Sequence, residues 1–469
     1  MSQKIRLFIS ILVPLIVLAI PADAFGIPGL TVVEHRVIAL FFMALFFWVL
    51  EPIPLYATSL LIIFIELVFV SDKAFVLFRS TSEGYGTPLP WKPVIETFAE
   101  PVIILFLGGF FLAMVSTKYA LDISLARLVL KPFGTRPKYV LLGFMVVTAA
   151  FSMFMSNTAA TAMMLAVMAP VLKSLDAGDK ARAAFVLAIP FAANIGGIGT
   201  PVGTPPNGIA MKYLTGANQI NFGSWMAFGV PFMAVLLLFA WFLFLVFYRS
   251  KTKEIRISVT GKFRRNWKSM TASITFAVTI LLWMTDFLHG MNSYVIALVP
   301  VVVYSATRII SVADLKEVDW DVLWLMAGGI ALGFGLEKSG LVAHIVKSIA
   351  FGSLSPLLII FLVTIVSIFI ASFMSHTAAA NLLLPIMAVL GTSVPSLASV
   401  GGAKSIILAA TFASSLAMAL PVSTPPNALA YATGEVKTKD MLKTGVPIGV
   451  FGLLLIYVML FILKRVHFL

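Results

Sequence analysis

The sequence contains no cysteine and only five histidines among its 469 residues. That excludes a disulfide framework and argues against a cysteine–histidine metal centre. Charge is scarce too, with Asp, Glu, Lys and Arg making up 11% of the chain. No His/Asp/Glu cluster and no nucleophile beside a base occurs, so the chain does not read as an enzyme, and no motif asks for an organic cofactor. Basic residues outnumber acidic ones by 33 to 20. They concentrate between apolar runs, however, and no basic helix interleaved with aromatics appears, which argues against a nucleic-acid partner.

What is abundant is apolar surface. Hydrophobic residues are 60% of the sequence, more than a soluble core can use, so the reading is an all-α polytopic membrane protein in a lipid bilayer. At the N-terminus, Lys4 and Arg6 precede an apolar run from Leu7 to Ile20 and then Ala22-Asp23-Ala24. This pattern fits a cleaved secretory signal or a retained first helix. The helix, within residues 1–30, is preferred because the later spans keep the orientation it would set.

Apolar runs near 5–22, 33–50, 53–71 and 98–118 each suit one crossing of about 20 residues. Ser80 to Lys92 reads as an extramembrane loop, and Lys131 to Lys138 as a basic turn. Within the segment 138–174, residues 139–174 are too long for one span, about 54 Å as a helix. Their apolar pattern breaks at Ser156-Asn157-Thr158. A re-entrant hairpin with its polar tip near the midplane fits better, since non-helical backbone at that depth must line a cavity or be buried in protein. Residues 182–214 are also too long. Gly196-Gly197, Gly199, Pro201, Gly203 and Pro205-Pro206 interrupt them, which predicts a broken helix with an unwound centre. After an uninterrupted span at 225–248 comes the strongest charge cluster. It comprises Arg249, Lys251, Lys253, Arg256, Lys262, Arg264, Arg265 and Lys268 against Glu254. Residues 251–268 therefore read as a basic cytoplasmic loop.

The second half repeats the first. Spans fall near 271–289, 292–311 and 318–338, followed by a hairpin at 356–390, a broken helix at 403–434 and a last span at 441–463. Ser375-His376-Thr377 lies 219 residues after Ser156-Asn157-Thr158. The stretch Thr424-Pro425-Pro426-Asn427 lies 220 after Thr204-Pro205-Pro206-Asn207, as Gly328-Gly329 does after Gly108-Gly109. Gly445-Val446-Pro447 follows Gly229-Val230-Pro231 by 216. Several matches in one order mark an internal repeat, spanning 31–250 and 269–469. Each repeat crosses five times and adds one hairpin, so the second is upside down relative to the first. Such inverted repeats with broken helices are a transporter architecture. The count is about 11 transmembrane helices with an outside C-terminus, where Lys464 and Arg465 run against the charge rule.

Each tip offers hydroxyls and helix-start N–H groups, which bind carboxylate or phosphate oxygens. The candidate substrate-binding stretches are the tips Ser156-Asn157-Thr158 and Ser375-His376-Thr377, with the stretches that begin at Thr204 and at Thr424-Pro425. Unwound carbonyls near Gly203 and Ser423 suit a dehydrated sodium ion. Two opposed helix starts would grip an anion at each end, which suggests a dianion. Small residues that merely allow close helix packing explain an isolated Ser or Thr, but not matched clusters. An ion channel, the competing class, would show pore-lining rings instead. Glu66, in an apolar run, and Asp286, near a span end, are further candidates because intramembrane charge is costly. Glu51, Asp319 and Asp321 lie at expected helix boundaries and read as caps or anchors.

These doubled Ser-Asn/His-Thr tips and Thr-Pro-Pro-Asn stretches resemble the divalent anion/sodium symporter family over nearly the whole chain. That family carries succinate, malate, citrate, 2-oxoglutarate and sulfate. The resemblance implies a homodimer in a bacterial inner membrane, with a moving transport domain that works as an elevator. It places Ser156, Asn157, Thr158, Ser375, Thr377, Thr424 and Pro425 on the substrate, and Ser152, Ser156, Asn157 and Gly203 at a first sodium site. The second cation site, at His376 and Ser423, departs from the pattern. His376 stands where the family has Asn, Ala371 where the first repeat has Ser152, and Ser372 is one residue out of register. A dicarboxylate beside His376 would favour imidazolium, a charge tethered to the chain. That predicts obligatory dicarboxylate exchange, with sodium-coupled symport through the first site as the alternative.

Overall fold

The computed structural model describes residues 2–176, 178–255, 266–348 and 354–469. Arg256, Lys262, Arg264 and Arg265 of the expected basic loop lie outside them. The described residues are helical throughout, apart from turns and one isolated bridge between Ser71 and Leu89. Eight described helices are long and apolar enough to cross a membrane, and four shorter apolar ones accompany them.

Both repeats open with a capped helix. Thr31 caps Val32–Leu50, its hydroxyl accepting from the Glu34 amide while the Glu34 carboxylate accepts from the Thr31 amide. Asn266 and Ser269 cap Trp267–Met284 by the same reciprocal pair of bonds. Such boxes satisfy amides that no helical turn can reach. The span expected at 292–311 is shorter than the pattern suggested, as Ser293–Ile296 and Leu298–Ala306.

The first hairpin is Pro137–Ser152 and Asn157–Lys173, and the second is Pro356–Phe373 and His376–Ser393. A proline opens the first arm of each, where no N–H is needed. A serine starts each second arm. Ser156 Oγ accepts from Ala159 N and Ser375 Oγ from Ala378 N, both at 3.2 Å. The broken helices are Ala181–Gly197 with Pro205–Tyr213, and Gly402–Ser415 with Pro425–Ala432. Phe222–Phe247 and Thr438–Arg465 follow them.

Packing joins the repeats crosswise. Asn157–Lys173 and Ala181–Gly197 pack on Pro425–Ala432, while His376–Ser393 and Gly402–Ser415 pack on Pro205–Tyr213. The frame shows the same exchange. Leu55–Ile65 lies against Trp320–Lys338, and Leu298–Ala306 against Pro101–Lys118. The duplicated glycine pair makes this frame contact possible. A Cβ on Gly108 would fall 2.4 Å from the Ala297 carbonyl oxygen, and one on Gly328 would fall 2.3 Å from Ser59 Cβ. Where lipid removes most of the hydrophobic drive between helices, such close backbone approach supplies the association.

Two short helices lie beyond the sequence reading. Leu121–Leu130 and Leu341–Ser348 follow the paired helices Pro101–Lys118 and Trp320–Lys338 at matching places.

Candidate functional site

In the first repeat, the hairpin tip meets the unwound centre of the broken helix. Ser152 Oγ lies 2.6 Å from Asn157 Oδ1 and 2.8 Å from the Ala193 carbonyl oxygen. One hydroxyl proton cannot fully satisfy both acceptors, so lone pairs are in excess. Gly197 brings two more oxygens close. A Cβ there would fall 2.7 Å from Asn157 Oδ1 and 2.9 Å from the Gly203 carbonyl oxygen. A Cβ on Gly203 would fall 2.5 Å from the Gly197 carbonyl oxygen. Asn207 holds this unwound backbone in shape, its Nδ2 donating to the carbonyls of Gly197 at 3.0 Å and Thr200 at 2.8 Å. Ser152, Asn157 and Gly203 are thus brought together as a cluster of neutral oxygens. Unwound carbonyls of this kind coordinate sodium in transporters. Ser156 Oγ accepts the helix-cap bond from Ala159 N, which leaves its O–H proton to donate.

The second repeat uses the same asparagine device and fills the rest differently. Asn427 Nδ2 donates to the carbonyls of Met418 at 2.8 Å and Leu420 at 3.0 Å. His376 is buried, and its Nε2 lies 2.8 Å from the carbonyl oxygen of Ala417. Ala417 follows Gly197 by 220 residues, the spacing of the two Thr-Pro-Pro-Asn stretches. The ring therefore hydrogen-bonds the carbonyl whose counterpart joins the first oxygen cluster. Ser423 Oγ donates to the Leu420 carbonyl at 2.6 Å, inside its own turn. Two candidate residues of the second cation site thus bond to the chain: His376 through Nε2 and Ser423 through its hydroxyl. Ser372 lies off the site, donating to the Ile368 carbonyl at 2.7 Å.

The two halves are tied together by Asn194, which the sequence reading missed. Its Nδ2 reaches Thr424 Oγ1 and Asn427 Oδ1, both at 3.2 Å. Thr424 Oγ1 also accepts from Asn427 N, capping Pro425–Ala432. Thr204 holds the matching place on Pro205–Tyr213 and makes no such cap bond. Thr158 and Thr377 are half-buried in the first turns of the second hairpin arms, and Pro425 is exposed. The four helix starts differ in donors. Pro205-Pro206 and Pro425-Pro426 have no N–H to give. The starts at Asn157 and His376 keep theirs, so the hairpin tips are the better anion holders.

The other candidate carboxylates fall outside this centre. Glu51 caps the end of Val32–Leu50 with a left-handed φ of 46°, and Asp319 precedes Trp320–Lys338. Asp286 accepts from Phe222 N at 3.0 Å. Glu66 is fully buried, and neither carboxylate oxygen has a hydrogen-bond partner among the described residues. It faces Gly335, where a Cβ would fall 2.4 Å from Glu66 Oε1. No group of three or more metal-ligating His, Asp or Glu occurs among the described residues.

Comparison with known proteins agrees with this architecture. Residues 1–466 match the family model described as the sodium:sulfate symporter transmembrane region. The sodium-dependent dicarboxylate transporter SdcS of Staphylococcus saprophyticus is 30% identical over 459 residues, covering 89% of this chain and 83% of that one. Two solved structures share the fold. The YdaH transporter of Alcanivorax borkumensis has a TM-score of 0.55 at 15% identity, covering 88% of this chain and 98% of that one. MtrF of Neisseria gonorrhoeae has a TM-score of 0.54 at 14% identity, covering 87% and 94%. With its inverted repeats, hairpins and broken helices, the chain is a multi-pass integral membrane protein that belongs to the divalent anion/sodium symporter family.

Proposed function

We propose that the protein is a secondary active carrier of four- and five-carbon dicarboxylates such as malate, succinate and 2-oxoglutarate. The observation that carries this reading is the crosswise arrangement at the centre. Two hairpin starts with free first-turn N–H groups and hydroxyls come from opposite repeats, each packed on the other repeat's Thr-Pro-Pro-Asn helix. A dianion with a carboxylate at each end suits two such starts. The name of SdcS, a sodium-dependent dicarboxylate transporter, supports the same substrate class. In this reading Ser156, Asn157, Thr158, Ser375, Thr377, Thr204, Thr424 and Pro425 surround the substrate. The hairpins and broken helices move against the frame as an elevator, in a homodimer. The test is uptake of labelled succinate into proteoliposomes, with competition by malate, 2-oxoglutarate, citrate and sulfate. Uptake no greater than in protein-free vesicles would defeat the proposal.

Coupling is by exchange. The charge that balances the substrate at the second tip is borne by the His376 ring, which is part of the chain and cannot leave with the substrate. Moving that charge alone through the low-dielectric barrier is costly. Loaded carrier crosses readily and empty carrier stalls. Sodium symport is the second reading, and the oxygen cluster of Ser152, Asn157, Gly197 and Gly203 is the observation in its favour.

A further inference from the structure

The two repeats match element for element, but one pair of matching contacts is made on one side only. On the side away from the basic loop, Asp286 accepts from the amides of Phe222 at 3.0 Å and Gly223 at 3.4 Å. These amides open Phe222–Phe247, one of the helices that pack with the hairpins and broken helices. Asp286 itself follows the frame helix Trp267–Met284. Its second oxygen, Oδ1, has no partner among the described residues, in a cavity of about 390 Å³ lined by Gln219, Asn221, Asn292 and Tyr294. A second tie lies on the same side, where Lys212 Nζ, at the end of Pro205–Tyr213, is 3.3 Å from Glu100 before Pro101–Lys118.

Each participant has a counterpart in the other repeat. Glu51 stands 20 residues after the helix cap Thr31, and Asp286 stands 20 residues after the helix cap Asn266. Gly229-Val230-Pro231 begins 8 residues after Asn221, and Gly445-Val446-Pro447 begins 8 residues after Lys437. Thr438 and Lys439 therefore match Phe222 and Gly223. In this structure Glu51, Lys437 and Lys439 are exposed, whereas Phe222 is buried. Ala432, 220 residues after Lys212, is exposed as well, and so is Asp319, which precedes Trp320–Lys338 as Glu100 precedes Pro101–Lys118. The frame is closed on the first repeat's helix starts and open at the second's.

Inverted repeats are related by a pseudo-two-fold axis in the membrane plane, so giving each repeat the other's arrangement generates an opposite-facing state. We propose that Asp286 and Glu51 are alternating latches. Asp286 holds the start of Phe222–Phe247 in the state seen here, and Glu51 takes the start of Thr438–Arg465 in the opposite state. A carboxylate at a helix start is favourable through the exposed amides and the helix dipole, and Lys437 and Lys439 add attraction for Glu51. A single latch would trap the carrier in one state. Two matched latches keep the states close in free energy, so that both are populated and substrate can shift them. The inference rests on the alternating cycle of the proposed carrier.

The chain's lack of cysteine permits a direct test in native membranes. Gly223→Cys with Asp286→Cys reports the state seen here, and Glu51→Cys with Thr438→Cys reports the opposite one. Both pairs are expected to cross-link under a short bifunctional maleimide or mild oxidation. Each disulfide is expected to block succinate transport, with recovery on reduction. The latch is overturned if the 51–438 pair never cross-links while the 223–286 pair does and the reduced carrier transports. Cross-linking of both pairs in a protein that carries no dicarboxylate would uphold the latch and defeat the substrate reading. A single Thr438→Cys reports the balance without replacing either carboxylate. Its labelling from the basic-loop side is expected to rise with Glu51→Ala and fall with Asp286→Asn, each variant moving the ratio of the two states by roughly fivefold, the worth of one such contact. Equal labelling in both variants would also overturn the proposal.

Discussion

His376 Nε2 lies 2.8 Å from the carbonyl oxygen of Ala417, the residue that takes the place of Gly197 in the second repeat. In the first repeat the Gly197 backbone lies against Asn157 Oδ1 and the Gly203 carbonyl, and its own carbonyl accepts from Asn207 Nδ2 at 3.0 Å. A ring in one repeat and an oxygen cluster in the other make the two candidate cation positions chemically unlike. His376→Asn restores the amide that the first repeat carries at Asn157. Uptake into empty vesicles under an inward sodium gradient is expected to rise roughly tenfold, about 1.4 kcal/mol off the barrier to return of the empty carrier. Unaltered uptake would separate His376 from coupling.

The hairpin threonines are expected to set substrate affinity. Thr158→Ala or Thr377→Ala removes one hydrogen bond to a charged carboxylate, worth ~1.5–3 kcal/mol, or roughly 10- to 150-fold in apparent affinity. Concentration dependence of succinate uptake reads the change. Unchanged affinity in both variants would place the substrate elsewhere.

Gly197→Ala tests the first oxygen cluster. The new methyl would fall 2.7 Å from Asn157 Oδ1 and 2.9 Å from the Gly203 carbonyl oxygen. Overpacking of this kind costs ~1–3 kcal/mol, which weakens a sodium ion held there roughly 5- to 150-fold. Sodium titration of substrate binding checks this, and an unshifted curve would remove the cluster as a cation site.

Outside the spans, Asp314 should make stability depend on acid. Burial would raise its pKa, but hydrogen bonds from Lys118 and Ser311 outweigh it and hold the group down at about 2. A depressed carboxylate stabilises the fold fully above its unfolded value near 3.8, and the contribution is lost as pH falls through about 2. Partial exposure limits the effect to about 1 kcal/mol. Lys118→Met should flatten the acid dependence of the unfolding midpoint in that window. An identical profile in the variant would count against the pair.

The architecture was legible where polarity breaks an apolar run. Ser156-Asn157-Thr158 and Ser375-His376-Thr377 announce hairpin tips because lipid tolerates no unpaired backbone, and the Pro-Pro steps announce broken helices for the same reason. Asn194 went unread because a lone amide inside Ala181–Gly197 has no periodic signature, and its partners Thr424 and Asn427 lie more than 200 residues away. Asp286 drew notice as costly charge, but its role at the start of Phe222–Phe247 depends on a contact across 64 residues. Leu121–Leu130 was missed because Asp122 and Arg127 interrupt an apolar run too short to span. The crosswise pairing of tips and Thr-Pro-Pro-Asn helices is a property of three-dimensional packing, and the repeat offset alone does not specify it.

Carriage of dicarboxylates by exchange is tested by comparing empty with loaded vesicles. Labelled succinate uptake is followed into proteoliposomes that are either empty or loaded with unlabelled succinate, at matched sodium on both sides and again with an inward sodium gradient. Exchange gives rapid uptake only into loaded vesicles, with little gain from the gradient. Strong uptake into empty vesicles that requires the inward sodium gradient would contradict it.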